Sequence, residues 1–215
     1  MRKRIVQVLF FLFLTLSVSG LASAEAAGQA DAEKGVQLYQ QGQYEEAAVH
    51  LMRALEAGVD PSQSSDLWTI LGNTFDSMED YPSAIKCHKR ALEINPKSYV
   101  AWTNLGAVYR HEGSYPDARG CYQQALQLNP EYPEAHASLG ILYIFEGQPE
   151  KGLESLQKAI ALNDTQAVSH ANIAVAYAKL GRFEEAQESL KKATSLGYPN
   201  GSVIQELIDT EKEAR

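Results

Sequence analysis

The sequence predicts an all-α protein built as a solenoid of antiparallel helix pairs, and three observations carry that prediction. Large apolar residues recur three and four places apart, as a single stripe along a helix requires. The whole pattern returns with a period of about 34 residues. Small residues and helix breakers hold fixed places within each period, where two helices must come close or the chain must turn.

The chain opens Met1-Arg2-Lys3-Arg4, runs almost without polar residues from Ile5 to Leu16, and reaches Leu21-Ala22-Ser23-Ala24. A basic head, an apolar run of about a dozen residues and an A-x-A ending predict a secretory signal peptide over residues 1–24. The run is short for a membrane span of about 20 apolar residues, although extension through Val18 and Leu21 leaves an uncleaved anchor as the alternative. No Cys follows it to accept a lipid. Residues 25–27 read as a linker within the small-residue segment Glu25 to Gln29, which is expected to be disordered.

The clearest period is 99–132. Trp102, Leu105 and Tyr109 form the stripe of a first helix, while Gly106 and Ala118 leave room for a second helix to approach. Gly113 marks the break between them. Pro116 suits the first turn of the second helix and Asp117 its positive end. Tyr122 and Ala125 continue that helix, and Pro130 stops it. One period upstream, in 65–98, the corresponding residues are Trp68, Leu71, Gly72, Phe75, Ala84, Ala91 and Pro96. Downstream, 133–166 holds His136, Leu139, Gly140, Tyr143, Gly152, Leu156 and Ala159, and 167–200 holds His170, Ile173, Ala174, Tyr177, Ala186, Leu190 and Ala193. A first, degenerate copy spans 28–61, with Gly35, Leu38, Gly42, Tyr44, Ala47, Leu51 and Ala54 but Asp31 in the place of the large fourth residue. A slip of three residues, Ser62 to Ser64, separates it from the next copy. Residues 201–215 supply a last amphipathic helix, apolar at Val203, Ile204, Leu207 and Ile208, that caps the array. The first copy caps the other end by its poor stripe.

This pattern resembles the tetratricopeptide repeat, W-x2-L-G-x2-Y with A-x3-F and P, Tyr122 standing for the usual Phe. The resemblance covers the chain from Gly28 onward in five copies plus the capping helix. It implies a right-handed superhelical solenoid whose first helices line a concave groove for a protein or peptide. The second, fifth, sixth, ninth, twelfth and thirteenth places of each copy face that groove. Carried over residue by residue, they are Asp66, Thr69, Asn73, Asp76 and Ser77; then Thr103, Asn104, Arg110 and His111; then Glu134, Ser138, Ile141, Ile144 and Phe145; then Val168, Asn172, Val175 and Lys179. Asparagine amides both donate and accept, which suits an extended peptide backbone. The cationic clamp by which some family members hold chaperone tails is lacking. Its places hold Thr69, Asn73, Asn104, Glu134 and Ser138.

The C-terminal half of this groove carries a run of apolar residues, Ile141, Ile144, Phe145, Val168 and Val175. Contiguous exposed apolar side chains mark an interaction site. They point to an apolar segment as ligand, either extended or helical. The competing reading places Ile144 and Phe145 inside the array, beside the buried eleventh place.

The chain carries 27 acidic and 19 basic residues, a net charge of −8. Loss of the three cations at residues 2–4 moves it to −11. An acidic chain with no basic cluster argues against nucleic acid and against an anionic membrane surface. Cys87 and Cys121 stand one period apart, about a helix-packing distance, and so are expected as free thiols. His136 and His170 share the fourth place, read as filling the space that Trp68 and Trp102 take, with a metal or proton-transfer pair as the alternative. His50, His88 and His111 share no place. No nucleophile elbow, phosphate loop, zinc ligand set or carboxylate pair is present, so no metal, cofactor or catalytic residue is expected. Asn163 and Asn200 head glycosylation-type triplets at repeat junctions. The expectation is a non-enzymatic interaction scaffold in a periplasmic or secreted assembly, binding its partner through Asn73, Asn104, Arg110, Asn172 and the apolar run. The alternatives are an accessory subunit of an enzyme complex and an adaptor tethered to the membrane by an uncleaved N-terminal segment.

Overall fold

The computed structural model describes residues 26–214. The signal-peptide expectation for residues 1–24 lies outside them. Every regular element among the described residues is a helix. Two compact units divide the chain after Pro96.

The first unit contains α1 (26–40), α2 (Tyr44–Ala57), α3 (Pro61–Ser77) and α4 (Tyr81–Ile94). Residues 26–29, expected to be disordered, belong to α1. Gly28 explains it: a Cβ there would stand 3.1 Å from that of Ala57, so α1 packs onto the end of α2 from its first turns. The three-residue slip at Ser62 to Ser64 is likewise helical. It lengthens α3 to 17 residues by about one turn at its start. Asp31, which breaks the stripe of the first copy, accepts from His50 Nδ1 at 2.6 Å across the α1–α2 pair. An acid in the tryptophan place is thus matched by an imidazole in the place that Cys87 and Cys121 occupy later.

The second unit contains α5 (Tyr99–Glu112), α6 (Tyr115–Leu128), α7 (Pro133–Phe145), α8 (Pro149–Leu162), α9 (Ala167–Lys179), α10 (Phe183–Ser195) and α11 (Gly201–Glu213). The pairs α5–α6, α7–α8 and α9–α10 pack internally. Each second helix also packs on the next first helix, α6 on α7 and α8 on α9, while α5, α7 and α9 touch in sequence. The last helix closes the unit against α9 and α10, burying Ile204 and Ile208 with Ala174 and Leu190.

One contact repeats in both units. A Cβ added to Gly35, Gly72, Gly106 or Gly140 would lie 2.7, 2.6, 2.6 or 2.7 Å from the side chain sixteen residues on: Leu51, His88, Tyr122 or Leu156. The glycine of the first helix is therefore a socket for one large residue of the second. Between the helices, Gly42, Gly113, Gly147 and Gly181 have positive φ, and Glu79 at φ 59° fills the same place in the second copy. Ser98 and Asp80 cap α5 and α4 by accepting the amides of Ala101 and Ser83. Cys87 and Cys121 are buried free thiols. Burial pushes the Cys87 thiol up to about 11, with Asp80 adding to the shift.

Candidate interaction cleft

In the second unit, the facing surfaces of α7 and α9 enclose a cleft of about 340 Å³. Its floor is Ala137 and Ile141 from α7 with Ala167 from the start of α9. Alanine keeps the floor low, while Val168 stands 54% exposed at the edge. Four polar residues line it besides: Glu134, Ser138, Gln166 and Ser169, whose hydroxyl donates to Gln166 Oε1 at 2.8 Å. Gln166 Nε2 donates to Glu134 Oε1 at 3.0 Å, a bridge that fixes the α9 entry against α7. Beneath that entry, His170 Nε2 pairs with the Asp164 carbonyl at 2.9 Å, and His136 Nε2 pairs with that of Pro130 at 2.8 Å. The two imidazoles thus fasten each first helix to the loop before it, a polar duty that a size-filling role leaves out.

The structure brings Ile141 and Val168 together in this cleft. It does not bring Ile144 there. Ile144 is 8% exposed and belongs to the core with Leu153, Leu156 and Ile173. Its side chain covers Gly152, where an added Cβ would stand 2.7 Å from Ile144 Cγ1, so the expectation of a groove position for Ile144 is corrected. Val175 is half-buried against the core clusters on both sides of α9 and contributes packing rather than cleft wall. Asn172 is half-buried, and its Nδ2 donates to the Val168 carbonyl at 2.8 Å. Asn104 is half-buried on α5, and Asn73 is half-buried on α3 in the first unit. Thr103 is buried, with its hydroxyl donating to the Tyr99 carbonyl within the helix.

Phe145, at the end of α7 one turn beyond Ile141, is 60% exposed. The Arg110 guanidinium sits 5.8 Å from its ring centroid and the Tyr115 ring lies 6.4 Å away. Behind them Arg119 bonds to Glu146, which is only 11% exposed. The Tyr122 hydroxyl is buried without a well-formed hydrogen bond. Burial raises its pKa, which Arg110 partly opposes. At the other end of α7, burial followed by the Glu134 and Tyr99 neighbours pushes Tyr132 up to about 12, and its ring meets that of Tyr99 edge-on at 4.8 Å. Sequence reasoning missed Gln166, Ala167, Ser169 and Tyr115, all at helix starts, where a pattern of first-helix faces gives no signal.

The first unit has two further cavities. One, about 390 Å³, is lined by glutamines with Glu33 and Asp66 over Ala32, Val36 and Leu67. The other, about 420 Å³, lies among Met52, Leu55, Trp68, Leu71, Phe75 and Cys87. Among the described residues, no three His, Cys, Asp or Glu side chains are grouped to hold a metal ion, and no helix is long and apolar enough to cross a membrane.

The family model described as the Cilia and flagella-associated protein 70 C-terminal domain matches residues 14–204. Among solved structures, a thermophilic tetratricopeptide-repeat protein of Thermus thermophilus is similar at 25% identity and a TM-score of 0.71, over 86% of this chain and 98% of that one. The Pseudomonas aeruginosa pilF structure is similar at 23% identity and a TM-score of 0.72, over 89% and 88% of the two chains. A MamA crystal structure is similar at 25% identity and a TM-score of 0.60, over 75% and 93%. No curated protein sequence matches. Helix pairs, glycine sockets and a family match across most of the chain agree: the protein belongs to the family of the Cilia and flagella-associated protein 70 C-terminal domain and has the tetratricopeptide-repeat fold of an interaction scaffold.

Proposed function

We propose that this chain is a non-enzymatic scaffold of an exported assembly, and that it holds an apolar segment of a partner protein in the α7–α9 cleft. The observation that carries the reading is the pairing of an apolar floor, Ala137 and Ile141, with an exposed Val168 at the rim. Leaving such a surface in water costs about 25 cal/mol per Å² of apolar area, which a partner's side chains recover on binding. The rim polar groups are few and already partly engaged with one another, as in sites where orientation comes from a small number of contacts. Export rests on the sequence alone: residues 2–4 basic, 5–16 apolar, and Ala22-Ser23-Ala24. N-terminal sequencing of the mature protein should begin at Glu25. A protein that retains Met1 would be tethered instead.

The cleft is tested by selecting binders from a displayed library of random peptides, then measuring their affinity for wild type and Val168→Asp. Val168 is the second residue of α9, where a negative charge favours the helix dipole. The variant is therefore expected to melt within a degree or two of wild type while binding the selected peptides at least about tenfold more weakly. Equal affinity would remove the cleft from the binding site.

A further inference from the structure

We propose that the partner segment carries an Asp or Glu side chain next to its apolar residues, and that Arg110 captures this carboxylate over the face of Phe145. The proposal rests on the cleft reading above and extends it by one turn of α7.

Two arginines lie in this cluster, and they differ in their counter-ions. Arg119 is neutralised by Glu146. Arg110 has no carboxylate partner among the described residues: its contacts are His111 Nε2 at 2.8 Å, the Phe145 ring, and the neighbouring Tyr122 hydroxyl. Its Nε is buried and unbonded, and the Tyr122 hydroxyl beside it has no well-formed hydrogen bond. A guanidinium that has lost part of its water without gaining an anion is unfavourable, and a carboxylate restores both the charge balance and the fork-shaped hydrogen bonding. Nothing in the repeat pattern demands this arrangement. The twelfth place of the other copies is Tyr39, Asp76, Ile144 or Ala178, and the thirteenth is Gln40, Ser77, His111 or Lys179.

The geometry also specifies a neighbour for the acid. Phe145 offers an uncovered ring beside the cation, and Tyr115 extends that apolar surface. Ile141 is one turn from Phe145, about 6 Å along the helix. A peptide lying on α7 with apolar residues over Ile141 and Val168 therefore reaches Arg110 within about two to four residues at roughly 3.3 Å each. The acidic net charge of the protein does not forbid this partner. At physiological salt the screening length is about 8 Å, so distant acids weigh less than the adjacent guanidinium.

The test uses synthetic fluorescent peptides taken from the selection, each made in matched forms with the acidic residue as Asp, Asn or Lys. Their affinities are measured by fluorescence polarisation on wild type, Arg110→Gln, Arg110→Lys and Val168→Asp, with melting curves for every variant. Wild type should bind the Asp form about tenfold or more tightly than the Asn form, with the advantage shrinking as salt is raised. Arg110→Gln should bind Asp and Asn forms alike while keeping its affinity for the Asn form, and Arg110→Lys should recover part of the preference. An undiminished Asp preference in Arg110→Gln, or selected peptides without acidic residues, would overturn the proposal and leave the cleft reading standing. Unchanged binding of every form by Val168→Asp would overturn the cleft reading itself. If Arg110→Gln melts early, the Asp-to-Asn ratio on wild type and Arg110→Lys still decides the matter.

Discussion

Gly106→Leu is expected to be the most damaging single substitution in the second unit. Even its first atom has no room: a Cβ at 106 would lie 2.6 Å from Tyr122 Cε1 and 3.1 Å from the Ala118 carbonyl oxygen. The Tyr122 ring cannot swing aside, because it is fully buried between α5 and α7 with Leu139 and Leu142. Overpacking of this kind costs about 1–3 kcal/mol, and the added branches of Leu place this variant at the upper end. The whole margin of a domain is about 5–15 kcal/mol, so the melting temperature should fall by several degrees or more. A control isolates the cause. The fifth copy pairs Ala174 with Leu190 in the same socket. Gly106→Ala combined with Tyr122→Leu copies that pair, and should recover most of the stability that Gly106→Ala alone removes. If Gly106→Leu melts like wild type, the socket does not govern the packing of this pair.

The second large effect belongs to His88, which fills the same socket above Gly72 in the first unit. Its side chain is wholly buried and neither ring nitrogen has a hydrogen-bond partner. Burial lowers its pKa to about 4, against a weaker opposing pull from Asp76. Above pH 6.5 the imidazole is neutral folded and unfolded, and it imposes no pH dependence. Between about 6.5 and 4 the unfolded chain takes up a proton that the folded chain refuses, so stability falls as pH falls. Below about 4 the loss is complete, roughly 3 kcal/mol for a shift of this size. His88→Leu places in the second copy the residue that Leu51 and Leu156 supply opposite Gly35 and Gly140. The variant should gain about 1–3 kcal/mol at neutral pH, since the two unpaired ring nitrogens are no longer buried. The wild-type-minus-variant difference in stability should widen from pH 7 to pH 4. A difference independent of pH would mean that His88 is not held neutral by its burial.

These two residues show where the sequence was legible and where it stopped. The period, the helix pairs and the breaks at Gly113 and Pro130 could be read because each rests on local chemistry: a stripe three or four residues apart, a positive φ, a missing N–H. The partner of each glycine could not. Gly106 marks a close approach, but only the crossing of the two helices selects Tyr122 rather than Ala118 as the side chain that enters. The same holds for Ile144. Its place twelve in the first helix is shared by half-buried Arg110 and buried Ile144, and the difference is made by Gly152, whose bare backbone admits the Ile144 side chain. Of the expected apolar run, Ile141 and Val168 were identified from the residues and do meet. For Phe145 the residues alone allow core or groove, and it is exposed. The Asp31–His50 pair is hidden because Asp31 looks like a defect in the stripe and His50 shares no place with the other histidines.

The measurement closest to the central claim is amide chemical-shift mapping of the isotope-labelled protein during titration with one of the selected peptides. Binding in the α7–α9 cleft should shift Ala137, Ile141, Val168 and Ser169 most, in proportion to occupancy, and should leave the socket residues Gly35 and Leu51 unmoved. Shifts that bypass α7 and α9 and gather instead around Met52, Trp68 and Cys87 would contradict the account.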